Sequence, residues 1–402
     1  MTYIRQINTK IISPLLYFSV SWSIVLVAYS LYWSELLPKL TIDIVTFFIF
    51  LISVCFILFR YSKSLEFKFE INKQKIERKL KRGGMVCILL FLLEAIAEKG
   101  FPLLFIIKGQ FVYGAFGLPF VHVILYALSS IYICISFLAY KITQNKKFHK
   151  YTVFFFFPYV LCFTRSAVIY NFLYILMISF SFKKINLKII FRTLLLSFII
   201  VYMSIIAFGY LGELRSGNDN NKIGGYIEAI SYPTEKFDKT GLSPLFLWGY
   251  IYITTPLGNL QNTIDSGAYS PCSSVDNAEL ILYHFLPDIF KKRLFPNAEE
   301  KTKLIVPYFN VSSIFTDAWA KLGWLGMIYS FLGMLTVISV IYNLKKRNNI
   351  YSYLSFIFLS TIIFFNMFTN MFNFMGLAPQ FWIAFLMSFS WKKVFKLEIQ
   401  KQ

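Results

Sequence analysis

Thr41–Phe59 reads TIDIVTFFIFLISVCFILF, nineteen residues with one charge, Asp43, and Arg60 directly after it. A helix rises 1.5 Å per residue, so about 20 apolar residues span a bilayer core. The run does not alternate between apolar and polar positions, which argues against a barrel strand. The same signature recurs along the chain. Ten candidate spans follow: Ile11–Trp33, Thr41–Phe59, Gly84–Glu98, Gly117–Tyr140, the short pair Tyr151–Thr164 and Ser166–Ser181, Thr193–Leu211, Ala318–Leu344, Ile350–Met371 and Gly376–Trp391. The expected fold is therefore an all-α polytopic membrane protein of about ten transmembrane helices. The N-terminus is basic and then apolar, as in a signal peptide. Its apolar run has no small-x-small cleavage site, so it reads as a retained first span.

The composition agrees. Of 402 residues, 57% are apolar and only 15% charged, yet the net charge is +20. An ordinary soluble chain carries about 25% charged residues. A disordered chain, a disulfide scaffold and a nucleic-acid binder are all excluded on these grounds. The basic excess follows the positive-inside rule. With the N-terminus in the cytoplasm, the segments on that side hold 26 of the 40 Lys and Arg residues and only four acidic ones, Glu66, Glu70, Glu77 and Glu398. An even number of spans puts both termini in the cytoplasm.

The chain divides into three parts. Residues 1–211 form an N-terminal bundle of about seven spans, with a short hairpin near 151–181. Residues 212–317 form a large outward loop, and 318–402 the last spans and a cytoplasmic tail. The loop holds 9 basic and 12 acidic residues. Ordered loops of this length usually carry function. Within it, Leu242–Thr255 is apolar enough to dip into the membrane, and Glu279–Phe295 reads as interfacial amphipathic helix broken at Pro287. No internal repeat of the transporter kind is present. Three histidines, His122, His149 and His284, and five scattered cysteines give no metal spacing. No phosphate-binding GxxxxGK[ST] loop occurs.

Charges at membrane depth each need a reason. Arg165 stands at the apex of the short hairpin, either sunk there for a ligand or snorkelling from a helix end. Arg215, in Gly212-Glu-Leu-Arg-Ser-Gly217, either offers its planar fork to phosphate oxygens or pairs with Glu213. Arg293, with Lys291 and Lys292, either meets lipid phosphates or adds a second diphosphate ligand. His284 is either a base near neutral pH or a structural hydrogen-bonder. Asp317 is either a base or an N-cap and i,i+4 partner of Lys321. Glu94 and Glu98, one turn apart, call for partners such as Lys99 or Lys108, as a proton site or a helix end reaching water. Tyr226, Tyr232, Trp248, Tyr250, Tyr252, Tyr269 and Tyr308 either pack or stack on sugar rings.

Taken together, the layout resembles the bacterial oligosaccharide repeat-unit polymerases, the Wzy-type O-antigen polymerases. The local matches are Thr164-Arg-Ser166, Gly212-Glu-Leu-Arg-Ser-Gly217, Tyr308–Thr316 and Ala320-Lys-Leu-Gly-Trp-Leu-Gly326. In the last, Gly323 and Gly326 are expected to let the helix pack closely. The resemblance implies a GT-C-like, metal-independent inner-membrane glycosyltransferase of lipopolysaccharide biosynthesis, without cofactor. It would move a glycan from undecaprenyl diphosphate onto a new lipid-linked repeat unit at the periplasmic face. Implied partners are membrane lipid, a Wzz-type chain-length regulator and a Wzx-type flippase, with no nucleic acid. Arg215, Arg165 and Arg293 would hold the diphosphate. His284, Asp317 or Glu213 would take the acceptor proton. An O-antigen ligase and a non-enzymatic flippase of the same lipid-linked substrate are the competing readings.

Overall fold

The computed structural model describes residues 2–62, 66–108, 116–182, 206, 209–210, 224–267, 284–288, 294, 302–344 and 349–390. The described residues are mostly helical. The helices are α1 (Pro14–Ser30), α2 (Ile42–Tyr61), α3 (Lys73–Ala97), α4 (Pro102–Ile107), α5 (Val121–Thr143), α6 (Lys146–Phe154), α7 (Phe157–Leu161) and α8 (Arg165–Ser181). After these come α9 (Gly225–Ser231), α10 (Glu235–Asp238), α11 (Leu245–Asp265), α12 (Ile314–Leu344), α13 (Ile350–Phe365) and α14 (Ala378–Ser390). Three of them, α2, α5 and α12, are long and apolar enough to cross a membrane, and this marks a membrane protein. Four shorter apolar helices lie at α1, α8, α13 and α14.

Helix α13 is the centre of the bundle. Every residue from Ile350 to Ile363 is buried, as expected of a helix apolar on all sides. It packs against α1, α14, α8 and α12. Helices α2 and α3 lie on the flanks, α2 against α1 and α3 against α5. Their outward residues, among them Ile42, Phe50, Leu89 and Ile96, are exposed and apolar. Such a surface suits lipid rather than water.

The ends of the bundle are built differently. At one end, three helices begin behind an asparagine cap: Asn72 accepts from Lys75 N–H, Asn145 from Lys147 N–H and Asn349 from Ser352 N–H. A two-stranded antiparallel ribbon closes this end, β1 (Thr2–Asn8) against β2 (Glu66–Asn72), with Arg5 opposite Phe69. Phe67 and Phe69 pack on Tyr353 at the start of α13. The ribbon lies outside the apolar runs, in stretches where the sequence predicts no element. Phe67, Phe69 and Ile71 alternate with polar residues, and that period suits a ribbon laid over an apolar floor.

At the opposite end the described parts of residues 212–317 pack onto the bundle. Most of the apolar run Leu242–Thr255 belongs to α11, a helix of 21 residues. It lies across the far end of α1 and the α1–α2 connection. Tyr250 Oη accepts from Trp33 N–H, and Gln261 Oε1 accepts from Thr41 N–H. Asn259, fully buried, ties the chain's return path to α11. Its Nδ2 donates to the carbonyls of Phe309 and Val311, and its Oδ1 accepts from Ile305 N–H.

Two expectations change. Helix α12 is broken at Gly323, whose φ of 57° and ψ of −137° are not helical. Beyond the break, a Cβ at Gly326 would run into the carbonyl of Ala318. Residues eight apart in an unbroken helix are about 12 Å apart along the axis, so the two halves turn sharply on each other. The glycines thus serve a bend within the chain. The fifth span is split in two, α6 and α7, with Pro158 just inside α7. The seventh, Thr193–Leu211, lies largely outside the described residues.

Candidate functional site

Helix α13 stops well below the far end of α1. Ser360 Oγ donates to Ile12 O, and the Phe364 ring meets Tyr17. The two helices run in the same direction, so α1 continues about 20 Å beyond the last turn of α13. The recess left above α13 is occupied by the returning segment. Ile314 N–H donates to Asn366 O, Asn366 Oδ1 accepts from Met371 N–H, and Asp288 N–H donates to Asn373 O. Buried asparagines of the 366–374 turn supply partners that an apolar floor would lack.

His284 sits in this recess. It is 1% exposed, its Nδ1 lies 2.9 Å from Asn370 Nδ2, and the same amide donates to its carbonyl. Phe285 meets Phe372 edge-on and covers Gly333. The helix is interrupted at Leu286–Pro287, where the break was expected.

The second turn of the floor is the apex of the short hairpin. Chain segments α6–α7 and α8 run in opposite directions and meet at residues 162–164. Thr164 Oγ1 lies 3.0 Å from Tyr126 Oη, so the apex reaches only the second turn of α5. The apex thus stops short of the N-terminal end of α5. Arg165 is the first residue of α8, and its side chain lies outside the described residues. Tyr170, one turn further along α8, packs against Phe365 and Phe374. The two sunken turns are therefore neighbours.

Beside the hairpin apex lies a pair that the sequence did not single out. Glu94 is fully buried, and its Oε2 is 3.1 Å from His122 Nδ1. The expected partners, Lys99 and Lys108, are not the ones used: among the described residues, His122 makes the contact. The signal was present in the spacing of two antiparallel helices. Gly83 faces Tyr132, Cys87 faces Ser129, and the same register brings Glu94 to His122. His122 in turn packs on Tyr126, with ring centroids 4.1 Å apart.

The remaining expected residues are less gathered. Asp317 is half-buried in the first turn of α12, past the N-cap position that the sequence suggested; Ser313 precedes the helix, its Oγ 3.0 Å from Thr316 Oγ1. An acidic residue there suits the positive end of the helix dipole. Glu213, Arg215 and Arg293 lie outside the described residues, as do Lys291, Lys292 and Tyr269. The aromatics separate into two uses. Tyr250 is buried against Trp33, whereas Tyr226, Trp248 and Tyr252 form a row of near-parallel rings, with Tyr252 exposed. No group of metal-ligating side chains occurs among the described residues.

No family of known proteins matches the chain, and neither a curated protein nor a solved structure is similar to it.

Proposed function

We propose that this chain is a membrane glycosyltransferase that polymerises lipid-linked oligosaccharide repeat units, in the manner of the O-antigen polymerases. It would act at the periplasmic face of the inner membrane, as a multi-pass protein with both termini in the cytoplasm. One observation carries the reading. The turn at 162–164 opens a helix at Arg165, and Tyr170 of that helix packs against Phe365 and Phe374, at the turn on which the returning segment rests. A polyprenyl diphosphate has an apolar tail that belongs at membrane depth and a diphosphate that needs fixed cations near its surface. Arg165, Arg215 and Arg293 are the residues assigned to it. Charge develops on the diphosphate as the glycosidic bond breaks, and preplaced guanidinium groups stabilise it without reorganising. The row formed by Tyr226, Trp248 and Tyr252 supplies flat apolar faces of the kind that sugar rings stack on.

The test is Arg215→Ala in cells that make the polymer. Expected is loss of the polymer ladder, with lipopolysaccharide capped by a single unit retained. Full-length polymer in the variant would remove Arg215 from the reaction. A second reading, export of the lipid-linked oligosaccharide, draws on the buried Glu94–His122 pair, since ionisable residues at membrane depth often couple transport to protons. It predicts that the single-unit band disappears as well.

A further inference from the structure

Among the described residues, Glu94 is the only acidic side chain that is fully buried. One of its oxygens meets His122; the other, Oε1, has no hydrogen-bond partner among the described residues. A buried carboxylate left half-bonded is costly, and a leucine of similar size would carry no such penalty. Such a group needs an explanation beyond packing.

The imidazole beside it is held from several sides. The Tyr126 ring lies against it, tilted by 41°, and Phe116 meets it edge-on at 6.0 Å. Gly117, at φ 114°, brings the backbone so close that a Cβ there would stand 2.8 Å from the ring's Cγ and Nδ1. Glu94 fixes Nδ1. Yet the His122 side chain keeps 25% exposure, and Nε2 makes no hydrogen bond among the described residues. A buried carboxylate, an oriented imidazole and an open second nitrogen are the parts of a general base. Tyr126 links this imidazole to Thr164, the residue before Arg165.

We propose that Glu94 and His122 form the proton-accepting dyad of glycan transfer, with a sugar hydroxyl as the group they act on. This rests on the glycosyltransferase reading above. His122 Nε2 takes the proton of the acceptor hydroxyl as that oxygen bonds to the donor's anomeric carbon. The bond from that carbon to the diphosphate oxygen breaks, and its electron pair leaves with the polyprenyl diphosphate. The proton then passes from the imidazolium to water or to the departing diphosphate. Glu94 holds the tautomer and stabilises the imidazolium. The other titratable groups facing the pair are Tyr126 on α5 and Cys162 at the end of α7, the latter within electrostatic reach of Glu94.

The experiment uses the purified full chain in proteoliposomes with polyprenyl-diphosphate-linked oligosaccharide, with polymerisation followed between about pH 5 and 9. His122→Ala is expected to lower kcat by about 10²- to 10⁴-fold with little change in KM, and to abolish the acid limb of the profile. Glu94→Gln is expected to lower kcat less and to leave KM near wild type, because glutamine still accepts from Nδ1–H but does not stabilise the imidazolium. A wild-type rate and acid limb in His122→Ala overturn the dyad, as does a limb that vanishes only in His284→Ala. If His122→Ala fails to fold, Glu94→Gln decides; a wild-type kcat in that variant then overturns the dyad. A wild-type protein that translocates the substrate without joining units overturns the glycosyltransferase reading, and the dyad's role with it.

Discussion

Asn259 and Glu77 illustrate how differently single polar residues contribute in this protein. Asn259 is buried and answers two carbonyls and one N–H of the 305–311 stretch. Asn259→Leu would leave all three without a partner, each at about 1–3 kcal/mol. A thermal-unfolding measurement in detergent is expected to register a loss on the order of 3 kcal/mol or more. Glu77, by contrast, stands in the basic stretch that opens α3, outside the apolar span. Lys147 Nζ lies 2.6 Å from its Oε1, with Lys81 beyond, and these cations hold the carboxyl below its ordinary range. The stabilisation is present above the unfolded carboxylate's pKa, about 4.3, and is lost as pH falls through the lower folded value. Lys147→Gln is therefore expected to lower the unfolding temperature slightly at neutral pH and not at all in strong acid. Neither contact was legible in the sequence, because both partners lie far away along the chain.

At the scale of elements, apolar length was a reliable signal and interruption was not. The helices at α1, α2, α5, α8, α13 and α14 fall where the apolar runs put them, since a continuous run has little alternative to a helix in lipid. The ribbon was missed although Phe67, Phe69 and Ile71 show a period of two, because a stretch rich in charge reads as a loop. Only the apolar part of α11 was marked in the sequence, because its last turns carry Asn259, Gln261 and Asn262. Of these, Asn259 and Gln261 are buried, the first facing the returning chain. The bend in α12 was read as close packing; only the fold reveals that Gly323 sits in a backbone region reserved for glycine. Gly323→Ala is expected to cost about 1–3 kcal/mol by strain alone. Gly326→Val should be worse, since its side chain would enter the Ala318 carbonyl. Expression level and monodispersity in detergent would rank the two. Of the candidate site, the hairpin that turns at 162–164 was legible from its short arms. The Glu94–His122 pair was not, because it joins two helices whose register no single stretch encodes.

At the scale of the whole molecule, the charge asymmetry makes a prediction about sidedness. Cysteines introduced at exposed Tyr252 or Lys239 should react with a membrane-impermeant thiol reagent in intact cells. A cysteine at Lys81 should react only after permeabilisation. Labelling of both ends of the bundle from the same side would overturn the orientation. The burial of α13 bears on something else, the order of events at the ribosome. The carbonyl of Ile12 waits for the hydroxyl of Ser360, which is synthesised 348 residues later. Helices delivered early to the bilayer must keep a slot open for one of the last to arrive. The centre of the bundle therefore cannot close around α1 and α8 until α13 has been made.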